Sequence, residues 1–414
     1  MTDTPRNPTP GGPKPLSGLR VLEIGAYISG PYAGSLLAAL GADVVKVEPP
    51  RGGDAFRRGV DIGSHYFVQY NAGKRSLALD LKKPEAIALL KQLLPRFDVL
   101  IENSRPGKMA ALGLGPEDCL AVNPGLVYSS ASGFGDGGPW RDRAAYDSMG
   151  QSMGGFYSIM NDEGVARLTG TCIADLITGI TATMGILVGL VGRGLDPERR
   201  GTLAQTSLVE AMSTITIDAM TQMFETGAAP TRETRHPQAQ NFCLMTGSGD
   251  SITLHLSSSE KFWQALARAL DRPELIEDPR FRHYYDRMAN YFELKPIVEA
   301  EFLKRTRDEW EARLIAEDVP FAPVLSMMDI ARDQQTEWLE LLEPERNGNV
   351  LVRPPWRFWG ERPHRPFRAP HLGEHSREVA AEVRTPEEVE RLIASGVVVQ
   401  APLPDAERGT ARVS

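Results

Sequence analysis

The sequence predicts an α/β protein that has a parallel, doubly wound sheet in a large domain and a smaller α+β domain. A strand, a glycine-bearing turn, a helix and a second strand follow one another in "GLRVLEIGAYISGPYAGSLLAALGADVVKVE". A second unit of this kind follows in "KPEAIALLKQLLPRFDVLIEN". After about Met220 the pattern changes to a strand followed by charged helices. Helices that alternate with buried strands are typical of parallel sheets covered on both faces.

The second unit shows the helical and strand patterns in detail. Pro84 suits a first helical turn, and Ile87, Leu90 and Leu94 fall on one face of the predicted helix. Residues 98–101 then predict a short strand. A further strand, in "NPGLVYSSASGFG", ends in a glycine-rich loop.

The later part of the chain predicts a different arrangement. "SITLHLSSSEKFWQALARALDRPEL" reads as a strand and an amphipathic helix, and residues 271–317 are charged and helical. Residues 353–372 are rich in Pro, Arg and aromatic side chains, which predicts an extended segment. A last helix is predicted near 385–394, and residues 1–15 predict a disordered tail.

Composition limits the class of function. The 414 residues carry a formal net charge of −8, which argues against a general nucleic-acid binder. The three cysteines, Cys119, Cys172 and Cys243, are far apart and form no CxxC motif, so we expect reduced thiols in a cytoplasmic protein. The N-terminus lacks the apolar core of a signal peptide.

The most apolar run of the chain, 176–192, contains three threonines and is shorter than the roughly 20 residues of a typical membrane span. We therefore expect a buried core helix and no membrane partner.

Two segments could bind an anionic ligand. Gly25 and the triplet Ser29-Gly30-Pro31 follow a strand and open a helix, where N–H groups can meet a phosphate or a thioester oxygen. The segment does not match G-x-G-x-x-G, and a plain turn explains it equally well. Between Lys46 and Lys108, twelve Lys and Arg face seven Asp and Glu, a local net charge of +5. A phosphorylated ligand or a solvated face with ordinary ion pairs would each explain this pattern, and spacing alone favours the second.

Asp175, in "GTCIADLITG", lies where a helix N-cap would lie. The same position can keep a poorly hydrated carboxylate ionised, and such a carboxylate is a usable nucleophile. Tyr146 and Asp147 follow a Gly/Pro loop and are explained equally well as a loop tyrosine and another cap. The sequence has no HExxH and no GxSxG motif, so neither a metal site nor a serine hydrolase is predicted.

Eight blocks together resemble the class III coenzyme A transferases, the CaiB/BaiF family, which includes formyl-CoA and carnitine CoA-transferases. In order they are "PLSGLRVLEIG…SGPYAGSLLAALGADVVKVEPPRGGD", "NAGKRSLALDLKKPE", "DVLIENSRPGKMAALGL", "NPGLVYSSASGFGDGGP", "YD", the "AD" of "GTCIADLITG", "RRGTLAQTSLVEAM" and "APHLGEHSREV". The resemblance covers the chain from about Pro15 to Val398.

The resemblance implies a reaction. An aspartate, here Asp175, attacks the donor thioester to give an acyl-aspartyl anhydride and a CoA thiolate. The thiolate then forms an aspartyl-CoA thioester, from which an acceptor carboxylate takes the CoA. Backbone N–H groups from Ala26 to Ser29 become candidates for stabilising the oxyanion. The implied partners are an acyl-CoA and a small carboxylic acid, with coenzyme A as substrate and no permanently bound cofactor.

The resemblance also implies CoA-binding positions, with Tyr146 and Asp147 on the substrate side. The implied CoA contacts are Ala26, Tyr27, Ser29, Leu79, Lys82 and Asn103, with Arg51 and Arg105 as phosphate partners. Pro49 stands where some relatives have a basic residue after Glu48. Ser257 to Ser259 stand where the formyl-CoA enzymes carry glycines, which disfavours oxalate and formate as substrates.

The fold implied by the resemblance is a Rossmann-like large domain with an inserted small domain, in a homodimer of interlocked ring-shaped subunits. We accordingly assign residues 16–220 and 331–414 to the large domain with its linkers, and 221–330 to the small domain.

Three alternatives stay open. The α-methylacyl-CoA racemases of the same family use a histidine where this chain has Tyr146, so two-base chemistry would lack one base. An intramolecular CoA transfer, giving a net isomerase, would need only Asp175. An inactive CoA-binding protein is the non-enzymatic alternative.

Overall fold

The computed structural model describes residues 14–344, 348–366 and 368–401. Most of the predicted tail, residues 1–13, lies outside this range, as do 402–414 of the predicted large domain. The described chain forms two compact units. The larger contains 14–156, 168–216 and 334–401, and the smaller contains 157–167 and 217–333. The small unit thus takes in 157–167, a segment that our sequence-based borders assign to the large domain.

The larger unit is built on a seven-stranded sheet in the order β12-β3-β2-β1-β4-β5-β6. Six strands are parallel, and β12 pairs antiparallel with β3 at one edge. These strands are β1 (Arg20–Ile24), β2 (Asp43–Glu48), β3 (Arg75–Leu79), β4 (Val99–Glu102), β5 (Val127–Ser132), β6 (Thr202–Ser207) and β12 (Val398–Val399). The mixed α/β architecture with a large parallel sheet confirms the predicted class.

Helices cover both faces of this sheet. Because side chains alternate along a strand, Leu22 and Leu100 pack on one face while Val21 and Val99 pack on the other. The helices along residues 29–226 are α1 (Ser29–Ala39), α2 (His65–Asn71), α3 (Pro84–Leu93), α4 (Lys108–Ala111), α5 (Pro116–Val122), α6 (Asp147–Met153), α7 (Phe156–Met160), α8 (Ile173–Leu195) and α9 (Leu208–Thr226). Most of α7 and the second half of α9 belong to the smaller unit. The C-terminal return adds α16 (Gln334–Trp338), α17 (Ser376–Ala381), α18 (Pro386–Ala394) and a hairpin of β10 (Leu342–Pro344) and β11 (Val350–Val352).

The smaller unit has its own core. It is built around a three-stranded antiparallel sheet and is lined by Trp263, Phe281 and Trp310, all fully buried. Its elements are α10 (Arg235–Ala239), β7 (Asn241–Met245), β8 (Ser251–His255), α11 (Glu260–Ala269), α12 (Tyr284–Ala289), α13 (Tyr291–Phe302), α14 (Arg307–Ala316), β9 (Phe321–Pro323) and α15 (Met327–Ile330).

One local prediction agrees with the structure and another is shifted. Of the three residues predicted to share a face, Leu90 and Leu94 are fully buried, and Ile87 is half-buried and packs against the same core cluster. The strand predicted at 98–101 lies one residue later, at Val99–Glu102, although the backbone of Asp98 already forms hydrogen bonds with Arg20 and Val127 of the neighbouring strands.

The apolar run 176–192 lies within α8, which has 23 residues. The helix is long and apolar enough to cross a membrane, so the length argument against a span is wrong. A long core helix of a globular protein meets the same criterion. One side of α8, including Ala182 and Ile186, packs against sheet residues such as Val127.

Candidate active site

The eight predicted CoA contacts all lie at one edge of the large sheet, where the parallel strands end. At this edge the chain order reverses between β1 and β4, and ligands of doubly wound sheets bind at such a reversal. Ala26, Tyr27 and Ser29 follow β1, Arg51 follows β2, Leu79 and Lys82 end and follow β3, and Asn103 and Arg105 follow β4.

Asn103 holds the loop between β1 and α1. Its Oδ1 accepts the N–H of Ala26 at 3.0 Å, and its Nδ2 donates to the carbonyl of Ala26 at 2.8 Å and to Ser29 Oγ at 3.2 Å. A Cβ at Gly25 would lie 2.8 Å from Asn103 Oδ1, and one at Gly30 would lie 3.2 Å from Asn103 Cγ. The glycines of this segment therefore leave room for the Asn103 amide, which the sequence pattern alone could not indicate.

Tyr27 adopts a left-handed backbone conformation with φ 65°. Its N–H points to Asp54 Oδ1 at 3.4 Å. The N–H groups of Ala26 and Tyr27 are thus already occupied by side-chain oxygens. As oxyanion donors, these two groups would have to give up a partner, which revises the role that we assigned to the loop.

Asp175 is the third residue of α8, because the helix begins at Ile173 and its N-cap is Cys172. The prediction that Asp175 is itself the N-cap is wrong. The carboxylate is half-buried, and its pKa is raised to about 6. Burial is the main cause of the increase, the nearby charge of Asp147 adds to it, and a hydrogen bond with Ser29 opposes it.

The capping role belongs to Asp147, the first residue of α6. Its Oδ1 accepts the N–H groups of Ala174 at 2.9 Å and Asp175 at 3.2 Å. Its Oδ2 accepts from Gln151 Nε2, which also donates to the carbonyl of Thr171. Asp147 therefore fixes the start of α8 and contacts the backbone of Asp175. Asp147 and Asp175 are 28 residues apart in sequence, so no local sequence pattern could predict this hydrogen bond.

Helices α1 and α8 approach each other closely at Gly179. A Cβ at this position would lie 2.9 Å from the carbonyl oxygen of Ser29 and 2.9 Å from the ring of Tyr32. Gly179 lies one helical turn after Asp175. The absence of a side chain at Gly179 thus lets the first turn of α1, which contains Ser29, lie close to the start of α8.

Asp175 opens into a pocket of about 180 Å³ within the larger unit. Tyr146 lies on its rim with 62% of its surface exposed, and its ring meets that of Tyr27 edge-on at 6.2 Å. Arg105 and Arg143 both line the pocket, and neither pairs with a carboxylate in the described part of the chain. The pocket is lined by Tyr27, Ser29, Asn103, Ser104, Arg105, Pro106, Ala131, Ser132, Gly133, Arg143, Ala144, Ala145, Tyr146, Asp175 and Leu208.

Some predicted contacts lie outside this pocket, and one residue was missed. Arg51, Leu79 and Lys82 do not line it, and the side chain of Leu79 is buried in the core, so only its backbone could meet a ligand. Arg143 was missed, although a basic residue just before Tyr146 in a Gly/Pro loop was an available signal. Over the described ranges no group of three His, Cys, Asp or Glu side chains could hold a metal ion.

Comparison with known proteins identifies the family of this chain. The model of CoA-transferase family III matches residues 16–376. The chain is 32% identical to a succinate–glutarate CoA-transferase of Agrobacterium fabrum, over 93% of this chain and 98% of that protein. It is 33% identical to an acetyl-CoA:oxalate CoA-transferase of Acetobacter aceti, over 94% of this chain and all of that protein. A crystal structure of a CaiB/BaiF family protein from Brucella suis superimposes with a TM-score of 0.78 at 30% identity, covering 90% of this chain and all of that one. The chain belongs to CoA-transferase family III and is a transferase enzyme.

Proposed function

We propose that this enzyme moves coenzyme A from an acyl-CoA to a free carboxylic acid, with Asp175 as the nucleophile. The observation that carries the proposal is the half-buried Asp175 carboxylate in the pocket, beside Ser29 and with a pKa of about 6. At pH 7 such a group is mostly ionised, yet it is more basic than an ordinary aspartate. Both properties suit attack on a thioester.

In the first step a carboxylate oxygen of Asp175 bonds to the thioester carbon, the C–S bond breaks, and the electron pair leaves with sulfur as CoA thiolate. The thiolate then attacks the Asp175 carbonyl carbon of the anhydride, which releases the donor acid and leaves an aspartyl-CoA thioester. The acceptor carboxylate attacks the aspartyl-CoA thioester, which expels CoA thiolate and forms a second anhydride between the acceptor and Asp175. The thiolate then attacks the acceptor's acyl carbon in this anhydride, which gives the new acyl-CoA and releases the Asp175 carboxylate. No external proton or oxidant is required at any step.

The first two N–H groups of α1 are the proposed oxyanion donors. Those of Ser29 and Gly30 have no acceptor in the described part of the chain, unlike those of Ala26 and Tyr27. Arg105 and Arg143 line the same pocket and would neutralise phosphate groups of CoA.

Substitution of Asp175 by Ala tests the mechanism. We expect loss of CoA transfer with retained folding and CoA binding, and loss of the acyl- or CoA-modified peptide that mass spectrometry detects after incubation of the unmodified enzyme with acyl-CoA. Turnover at the original rate in the variant, or a covalent adduct on another residue, would refute the assignment. Serine at position 29 provides a matched comparison, because Ser29→Ala should slow transfer and leave Asp175 able to react.

We further propose a short dicarboxylic acid as acceptor. The relative from Agrobacterium fabrum is named for succinate and glutarate. Here an aromatic group of Tyr27, Phe56 and Tyr66 extends from the pocket, with ring centroids 5.5 and 5.4 Å apart. The guanidinium of Arg58 lies 4.3 Å from the Tyr66 ring, and Arg58 forms no ion pair among the described residues. Such an arginine could bind a distal carboxylate.

Competition between acids of equal length tests the acceptor class. Succinate should be preferred over butyrate, and glutarate over valerate, and Arg58→Met should remove most of this preference by raising KM for the diacids. Equal use of butyrate and succinate by the original enzyme would contradict the proposal.

The homodimer expected from the resemblance is also proposed. The side of α8 away from the sheet exposes Met184, Val188, Val191 and Leu195, an apolar stripe that a second subunit would cover. Light scattering should give twice the 45.4 kDa chain mass.

Racemase chemistry is the second candidate, and the site supports it less well. Tyr146 occupies the histidine position, and the residues that line the pocket include no histidine. The enzyme is incubated with a 2-methylacyl-CoA in deuterated water. A racemase would introduce deuterium at the α-carbon, whereas a transferase would leave that carbon unlabelled.

A further inference from the structure

We propose that two buried lysines, Lys46 and Lys74, are positioning residues that fix the loop between β1 and α1 beside Asp175. The inference rests on the proposed role of Asp175. Both side chains are fully buried, and each ammonium group binds one oxygen of Glu23 and one backbone carbonyl, that of Gly25 in the loop for Lys46 and that of Pro31 in the first turn of α1 for Lys74.

Lys46 holds the beginning of the loop. Its Nζ donates to the carbonyl of Gly25 at 2.8 Å and to Glu23 Oε1 at 2.8 Å, and it lies 2.9 Å from Asp54 Oδ2. The other oxygen of Asp54 accepts the N–H of Tyr27. One ammonium group therefore fixes Gly25 directly and the left-handed Tyr27 through Asp54.

Lys74 holds the first turn of α1, which directly follows the loop. Its Nζ donates to the carbonyl of Pro31 at 2.8 Å, to Glu23 Oε2 at 2.6 Å and to Asn71 Oδ1 at 2.9 Å. All three donors of the ammonium group are used, as a buried cation requires. A Cβ at Gly34 would overlap Glu23 Oε2, so α1 carries a glycine where the buried carboxylate passes.

The two anchored carbonyls, of Gly25 and Pro31, bracket the five residues 26–30. This bracketed segment contains Ser29, which lines the pocket with Asp175 and whose side chain lowers the pKa of that carboxylate, and the N–H groups that we propose as oxyanion donors. Neither lysine lines the pocket, so they act on the reaction through the backbone of the loop.

A purely stabilising role does not account for this arrangement. Taking charges out of water costs several kcal/mol per ion, and well-packed apolar residues often replace buried ion pairs without loss of stability. Burial lowers the pKa of Lys74 to about 8, although Glu23 opposes this effect and Lys46 reinforces it. Apolar residues could not supply a fixed donor for the carbonyl of Gly25 at the start of the loop and for that of Pro31 in the first turn of α1.

The test compares Lys74→Met with Arg193→Met. Arg193 makes the same kind of contact, to the carbonyl of Gly125 and to Asp98, but at the opposite end of the strands. The rate of Asp175 modification by acyl-CoA is measured by mass spectrometry, per folded molecule, as a function of pH. We expect Lys74→Met to slow modification 10- to 100-fold, as a displacement of about 1 Å can do. The acid limb of its pH profile should move to higher pH, because a displaced Ser29 side chain lowers the pKa of Asp175 less. Arg193→Met should retain both the rate and the acid limb.

A double variant, Glu23→Gln with Lys74→Met, removes one charge of each sign and should show the same two effects in a less perturbed fold. If both Lys74 variants keep the original rate of Asp175 modification and the original acid limb of its pH profile, the positioning role is overturned. Failure of both variants to fold, with Arg193→Met folded, would also overturn it, because the network would then be structural. Absence of any Asp175 adduct in the unmodified enzyme would instead refute the proposed function.

Discussion

At the scale of residues, the site depends on two aspartates whose roles differ because their surroundings differ. One carboxylate oxygen of Asp147 accepts two N–H groups in the first turn of α8. The carboxylate of Asp175 instead lines the pocket, where burial and the nearby charge of Asp147 raise its pKa. The sequence identified both residues, because each belongs to a recognisable block. It could not identify Asp147 as the cap, since capping across 28 residues depends on how α6 packs against α8.

The charge of Asp147 should therefore be visible in the pH profile of transfer. Because Asp175 must be ionised to attack, we expect activity to fall as the pH decreases through its pKa of about 6. In Asp147→Asn the cap oxygen remains but the like charge is lost, so the pKa of Asp175 should fall and the acid limb should move to lower pH by up to about one unit. A pH–rate profile of kcat measures this shift.

Asp147→Ala is the matched control for the Asn variant. It removes the cap as well as the charge, and loss of a helix cap costs about 0.5–2 kcal/mol of stability. A lowered unfolding temperature in the Ala variant alone would separate the two roles. Movement of the acid limb to higher pH in Asp147→Asn would contradict the electrostatic explanation.

At the scale of elements, the small residues of α8 set how closely it packs against α1. The sequence predicted a helix here, although it placed Asp175 at the cap and therefore the start three residues too late. It could not show which glycine matters. Gly179 faces the carbonyl of Ser29, whereas Gly192 has no atom within 4 Å of the place where a Cβ would lie.

Two glycine substitutions in the same helix should have opposite effects. We expect Gly179→Ala to push α1 from α8, to cost about 1–3 kcal/mol by overpacking and to lower kcat by moving Ser29 from Asp175. Gly192→Ala should keep activity and gain up to about 1 kcal/mol, because alanine favours the helix. Chemical denaturation and steady-state kinetics of both variants measure these effects. A Gly179→Ala enzyme with unchanged kcat would show that close packing of the two helices is unnecessary.

At the scale of the whole molecule, distant parts of the chain complete one sheet. Strand β12 pairs with β3, and Val397 and Val398 are buried in the same core cluster as Leu22 and Leu89. Periodicity predicted the βαβ units that form the centre of this sheet, because the apolar pattern of each buried strand or helix face lies within a short stretch of sequence. It could not predict the return of the C-terminal segment to the edge, because a strand of two residues carries no periodic signal.

Because the two units have separate cores, we expect a cavity in one core to destabilise mainly the unit that contains it. Val398 is fully buried beside β3 in the larger unit, and Leu266 is fully buried in α11 of the smaller one. Val398→Ala should destabilise the larger unit by about 1–3 kcal/mol, and Leu266→Ala should destabilise the smaller by about 2–5 kcal/mol. Native-state hydrogen exchange followed by mass spectrometry should then show faster exchange in peptides from β3 for the first variant and in peptides from α11 and α13 for the second. Equal acceleration in both units by either substitution would mean that the two cores unfold as one cooperative structure, and the stability of the CoA site would then depend on the small unit as much as on its own sheet.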